Sequence, residues 1–198
     1  MSAKRYLLAA AVTALALGVI GTTANAAGIF TLESNTFKDG QLMPMKVSNS
    51  KTNEPSRANC VGENVSPELH WSNVPDGTKS LVLLMADPQG RAPAGVSHWV
   101  AYGIAPTLTG FAEGATSKDS NQYVGGKSTM GVGHYIGPCT PPNVSAHHYT
   151  FVLIASDFAP DELAPGLTRE QLIEKFGASP HVKGSTGMVG LFVNPHPK

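Results

Sequence analysis

Three stretches of the chain are almost wholly apolar and about eight residues long. They read SLVLLMAD at 80–87, SHWVAYGI at 97–104 and YTFVLIAS at 149–156. Aliphatic and aromatic runs of this length, bounded by Pro, Gly or Asp, predict strands buried on both faces. TLESNTF at 31–37 alternates in part and predicts a first strand, while VKGSTGMVGLFV at 182–193 predicts one or two short strands. A single segment has helical period. In LTREQLIEKFGAS, Thr168 and Gln171 have the spacing of a capping box, Leu172, Ile173 and Phe176 form an apolar stripe, and Gly177 supplies the stop. Residues 49–67 are polar and rich in Pro and Asn, hence loop, and 105–146 is a long Gly-rich stretch without period. Irregular stretches of that length are usually functional or pinned down. Many strands with one late helix predict a mainly β sandwich.

The N-terminus is patterned differently. Lys4 and Arg5 precede an apolar run from Tyr6 to Ile20, and Ala24-Asn25-Ala26 offers a small-x-small cleavage triplet. This layout predicts a cleaved signal peptide over 1–26 and a single domain over 27–198, periplasmic or secreted. No later segment is long and apolar enough to span a bilayer, so the mature form is expected to have no transmembrane segment. Leaving out Lys4 and Arg5 takes the basic count from 14 to 12 against 14 acids, a formal charge of −2. With no basic run, nothing marks a nucleic-acid or anionic-membrane surface. Cys60 and Cys139 are the two cysteines of the chain. In an exported protein they predict a disulfide, and closing a loop of about 80 residues contributes roughly 4.5 kcal/mol in the chain-entropy account.

Chemistry-bearing residues collect at strand ends. Residues 137–156, GPCTPPNVSAHHYTFVLIAS, place two histidines where an apolar strand begins. Alternate strand residues share a face, so His147 goes with Tyr149, and His148 goes the other way with Thr150. Asp87 ends the strand of Leu81 to Ala86, and His98 starts the next after a short loop. Neighbouring strand ends can bring this acid and this imidazole into hydrogen-bond reach, where the carboxylate favours the imidazolium form. Each residue also has a plain structural reading: Asp87-Pro88 as a turn, His98 and Tyr149 as core.

The ordered set NCVGENVSPELHWSNVPDGTKSLVLLMADP, HWVAYGI, GPCTPP and HHYTFVLIA resembles the phosphatidylethanolamine-binding protein family, also known as Raf kinase inhibitor-like. The match runs from about Gly40 to Phe158, and the exported, two-cysteine form resembles its periplasmic bacterial YbcL-like branch. The resemblance implies an antiparallel β-sandwich with a short C-terminal helix and a small anion pocket at one end. In the motif Asp-Pro-Asp-x-Pro followed by His-Trp/Phe, Asp87, Pro88 and His98 match, and Gln89 replaces the second acid. In the motif Gly-x-Pro-Pro followed by His-Arg-Tyr, Gly137, Pro138, His147 and Tyr149 match, with His148 in the arginine position. His134 stands where a glycine is usual.

The implied ligand set is therefore Asp87, His98, Gly137, Pro138, His147 and Tyr149, with Gln89 and His134 at the pocket mouth. A Cys60–Cys139 bond would tie the pocket rim to the GEN segment at 62–64. The expected partner is a small anion, phosphate or a phosphomonoester, with no metal and no cofactor. Loss of the second acid eases anion binding and weakens recognition of an amine. Family members act as kinase or protease inhibitors or signalling modulators; the sequence names no such target and leaves a homodimer open. The competing class is a hydrolase or metal-dependent enzyme using the Asp/His/His/Tyr cluster as general acid and base. No G-x-S-x-G elbow and no HExxH accompanies that cluster.

Overall fold

The computed structural model describes residues 28–50, 60, 62–141, 145–177 and 180–194; the predicted signal peptide lies outside them. In chain order the first elements are β1 (Thr31–Glu33), β2 (Gln41–Leu42), β3 (Leu69–Ser72), β4 (Ser80–Asp87) and β5 (Val96–Ile104). Then come β6 (Gly110–Phe111), β7 (Val124–Gly125), β8 (His147–Ser156), α1 (Arg169–Gly177) and β9 (Val182–Phe192). The three apolar runs form the middle of a six-stranded sheet of order β2-β9-β8-β4-β5-β7. Its pairings are antiparallel except for β2, which joins β9 in parallel. The strands β1, β3 and β6 make a second, antiparallel sheet with β3 central.

Alternation along β4 and β8 divides the apolar residues between two clusters. Leu81, Leu83 and Met85 with Phe151, Leu153 and Ala155 face the small sheet, where they meet Leu32, Leu69, Trp71 and Phe111. From the other face of β4 and β5, Val82, Leu84, Val100 and Tyr102 pack under Phe158, Leu163 and Leu172. Central strands covered on both sides need no polar positions, which is why their sequences run unbroken.

The predicted capping box is present: Thr168 N donates to Gln171 Oε1 at 2.9 Å, and Gln171 N to Thr168 Oγ1 at 3.3 Å. The apolar stripe is narrower than expected. Leu172 is buried and Phe176 packs beside it, but Ile173 is 45% exposed. One edge of the helix suffices to cover Val82 and Leu84. The helix is also followed by β9, so it is late in the chain rather than last.

The sequence predicts one or two short strands at the end; β9 is one strand of 11 residues. Its full-length ladder with β8, from His147↔Phe192 to Ser156↔Val182, overrides three weak strand formers. Two of those glycines have a steric reason: a Cβ on Gly187 would meet the Phe151 carbonyl oxygen at 2.6 Å, and one on Gly190 the Met43 sulfur at 2.5 Å.

The long 105–146 stretch is pinned, as its length implied. Trp71 Nε1 donates to Leu108 O at 2.6 Å, Tyr135 N to Thr116 O at 3.0 Å, and the Tyr135 hydroxyl to Val47 O at 2.8 Å. Cys60 and Cys139 are joined as a disulfide, with Cα atoms 5.4 Å apart and a sequence separation of 79. Among the described residues no helix is long and apolar enough to cross a membrane.

Candidate functional site

The end of β4, the start of β5 and the start of β8 meet at one end of the large sheet. Asp87 is in register with Val96 and Ala86 with Ser97, but Met85 is in register with Trp99. His98 is therefore an extra residue without a partner, a β-bulge. A bulge lets two successive side chains serve one face. Trp99 enters the main core, and the His98 ring packs edge-on against Tyr149 with centroids 5.1 Å apart. On the other side of β4, Ala86 pairs with Thr150, so Asp87 and Tyr149 are the next residues along these two strands.

The hydrogen bonds of the cluster leave little freedom. His147 Nδ1 donates to Asp87 Oδ2 at 2.7 Å, and Gln89 N donates to Asp87 Oδ1 at 2.9 Å. Asp87 is only 3% exposed, so both its oxygens are held inside. His98 Nδ1 donates to the Ile136 carbonyl at 2.8 Å. Burial of that ring, 6% exposed, lowers its pKa below the ordinary histidine value, outweighing the Ile136 bond and the Asp87 charge that favour the proton. Burial also raises the Tyr149 hydroxyl far above the tyrosine range, with the charge and hydrogen bond of Asp87 acting in the same direction. Tyr149 therefore stays a neutral phenol.

The rim is built by the loop before β8. Gly137 N donates to Asn64 Oδ1 at 2.8 Å, and Asn64 Nδ2 donates back to Tyr135 O at 3.3 Å. Asn64 holds φ +56°, a left-handed backbone that asparagine tolerates better than most residues. Asn49 N donates to Pro138 O at 2.9 Å, and Asn194 grips Thr140 through two bonds of 3.0 Å. The Ile136 carbonyl that orients His98 is thus fixed from both sides.

Gly137 sits against the chain at 47–49. A Cβ there would fall on the Val47 carbonyl oxygen and within 2.9 Å of Asn49 N and Ser48 C, all backbone atoms that cannot swing aside. Gly137→Ala is expected to cost about 1–3 kcal/mol and to displace the rim. Urea unfolding with the midpoint unchanged from wild type would refute this close-approach role.

The side chains of the remaining sequence-selected residues, Gln89 and His134, bond partners other than the four cluster side chains. The Gln89 side chain accepts from His148 N at 2.8 Å and from His148 Nδ1 at 3.1 Å, so its amide is engaged with the exposed ring on the opposite strand face. His134 Nδ1 bonds Asp119 Oδ1 at 2.9 Å. Three contributors carry no sequence signal for this purpose. The Ile136 carbonyl is backbone, Asn64 lies in a polar loop, and the bulge at His98 exists only in the pairing of two strands.

Among the described residues no group of three or more His, Cys, Asp or Glu is placed to hold a metal. A groove of about 480 Å³ lined by Gly103, Leu108, Tyr123, Val124 and Pro160 lies at the other end of β5. Gly103 is five positions along β5 from His98, roughly 17 Å, so the groove is not this site.

The family model described as Phosphatidylethanolamine-binding protein matches residues 33–192. A UPF0098 protein of Methanothermobacter thermautotrophicus is 39% identical over 150 residues, 73% of this chain and 93% of that protein. YbcL of Escherichia coli K12 is 32% identical over 129 residues, 63% of this chain and 67% of its own length. Its crystal structure, described as a member of the mammalian PEBP family, superposes with a TM-score of 0.72 at 24% identity, covering 84% of this chain and 99% of that one. The Chlamydia trachomatis homologue CT736 gives a TM-score of 0.67 at 30% identity, covering 84% of this chain and 98% of that one. A match spanning both sheets and every strand of the cluster leads to one conclusion: the chain belongs to the phosphatidylethanolamine-binding protein family.

Proposed function

We propose that the protein is an exported binding protein whose Asp87/His98/His147/Tyr149 site takes a small phosphate-like anion without turning it over. Gly137 and Pro138 shape its rim. The observation that carries the reading is the tethering of two imidazoles. Nδ1 of His147 is tied to Asp87 and Nδ1 of His98 to Ile136 O, so each ring has only Nε2 to offer a ligand. A proton on His147 Nε2 makes an imidazolium whose charge Asp87 balances, a charge-assisted donor for an oxyanion. The predicted leader and the Cys60–Cys139 bond support export. Family membership supports action on other proteins through the surface around the site.

Titration calorimetry with inorganic phosphate tests this. Binding by the wild type is expected, and it is expected to vanish in His147→Ala. Absence of binding by the wild type would end the proposal.

The Asp87–His147 contact also has the geometry of an oriented general base, which favours a hydrolase as second reading. Among the described residues neither histidine is bonded to a serine or cysteine. Turnover in a phosphatase and esterase panel, abolished by His147→Ala, would put that reading first.

A further inference from the structure

We infer that the site reads the protonation state of its ligand: His98 accepts a hydrogen bond from a ligand hydroxyl while His147 donates one to a ligand oxyanion, so the site prefers phosphate and phosphomonoesters that carry a P–OH to sulfate and phosphodiesters. This rests on the anion-site reading above and adds to it which anions qualify.

His98 is held with Nδ1 2.8 Å from the Ile136 carbonyl. A carbonyl only accepts, so Nδ1 carries the hydrogen, and in a neutral ring Nε2 is then a bare acceptor. Among the described residues nothing is bonded to that Nε2, although the residue is more than nine-tenths buried. Charge on the ring is disfavoured by burial and by the neighbouring His147. The titratable groups facing it are Asp87 on β4 and His147 and Tyr149 on β8. Asp87 is the one anion among them, and its oxygens are taken up by His147 Nδ1 and Gln89 N. Desolvation accordingly keeps His98 the poorer base, as its lowered pKa indicates.

The two rings are therefore unlike. One presents N–H to an oxygen that carries charge; the other presents a lone pair that only an O–H can meet. A P–OH beside a P–O⁻ satisfies both. Sulfate has no proton at neutral pH, and a phosphodiester has no hydroxyl on phosphorus. Either would press an oxygen lone pair against Nε2 and leave a buried acceptor unpaired.

The test uses four probes on the full mature protein by calorimetry: inorganic phosphate, methyl phosphate, dimethyl phosphate and sulfate. Near pH 5.5, phosphate and methyl phosphate are expected to bind at least about tenfold more tightly than the other two. A phosphomonoester loses its last proton with a pKa of about 6, whereas inorganic phosphate keeps a hydroxyl near pH 8. Methyl phosphate is therefore expected to weaken about tenfold more than phosphate between about pH 5.5 and about pH 8.

His98→Asn keeps an NH₂ donor for Ile136 O and is too short to place an acceptor at the Nε2 position. It should bring methyl and dimethyl phosphate within about twofold of each other, with its fold checked by circular dichroism. Should that variant fail to fold, nitrogen-15 spectra of the wild-type histidines give the answer directly: an unprotonated Nε2 on His98 supports the inference, and an imidazolium overturns it. Equal affinity for all four ions would overturn this inference and leave the anion site standing. Failure of all four to bind would overturn both.

Discussion

Replacing Cys60 and Cys139 together by serine is expected to lower the unfolding free energy by about 2–5 kcal/mol. In urea, this moves the midpoint down by roughly 1–2 M. The bond spans a separation of 79 residues, so its loss restores a large ensemble to the unfolded chain. It also acts on the native state. Cys139 lies between Pro138, held by Asn49, and Thr140, held by Asn194, in the loop whose Ile136 carbonyl orients His98. With the covalent tie cut, that loop depends on hydrogen bonds alone, and weaker phosphate binding should accompany the lost stability. Reduction of the wild type should reproduce both effects. A midpoint unmoved by reductant or by the double substitution would show that the bond contributes nothing to either.

Asp87→Ala should be the most damaging single change in the site, at about 3 kcal/mol. The carboxylate is 3% exposed, and its removal strands His147 Nδ1 and the Gln89 N–H. Asp87→Asn provides the contrast. Its carbonyl oxygen can still accept from Gln89 N, and its NH₂ can donate to His147 Nδ1, which moves the imidazole proton to Nε2. The stability loss should then shrink to about 1 kcal/mol, and part of the oxyanion affinity should survive. Chemical unfolding and phosphate titration on the two variants measure both. An alanine variant as stable as wild type would mean that the Asp87–His147 contact does not support the fold.

Much of this architecture was readable before any coordinates. β4, β5 and β8 appear as unbroken apolar runs because strands covered on both faces tolerate no polar alternation. Parity separated His147 from His148 because the strand period of two is a property of the backbone itself. Thr168 and Gln171 announced the helix start because a capping box is local chemistry, and two cysteines behind a predicted leader announced the disulfide. The small sheet was largely invisible. Its strands have two to four residues, too few to carry a period, and β3 follows a stretch that reads as loop. β9 looked broken by Gly184, Gly187 and Gly190, yet its ladder with β8 runs end to end.

The site divides in the same way. Local order along the chain gathered Asp87, His98, His147 and Tyr149 as candidates, since residue type and strand parity are written in the sequence, and the family resemblance decided for them over their plain structural readings. What each can do was not. The bulge that sends His98 and Trp99 to one face depends on how β4 and β5 register against each other, and registers are set between strands. The acceptor that fixes the His98 tautomer is a backbone carbonyl, identical in chemistry at every position, so only its placement 38 residues away distinguishes Ile136. Nor could any motif place Asn64 across the rim loop or turn Gln89 onto His148. Residue identity chose the chemical groups; long-range packing assigned each one its proton and its direction.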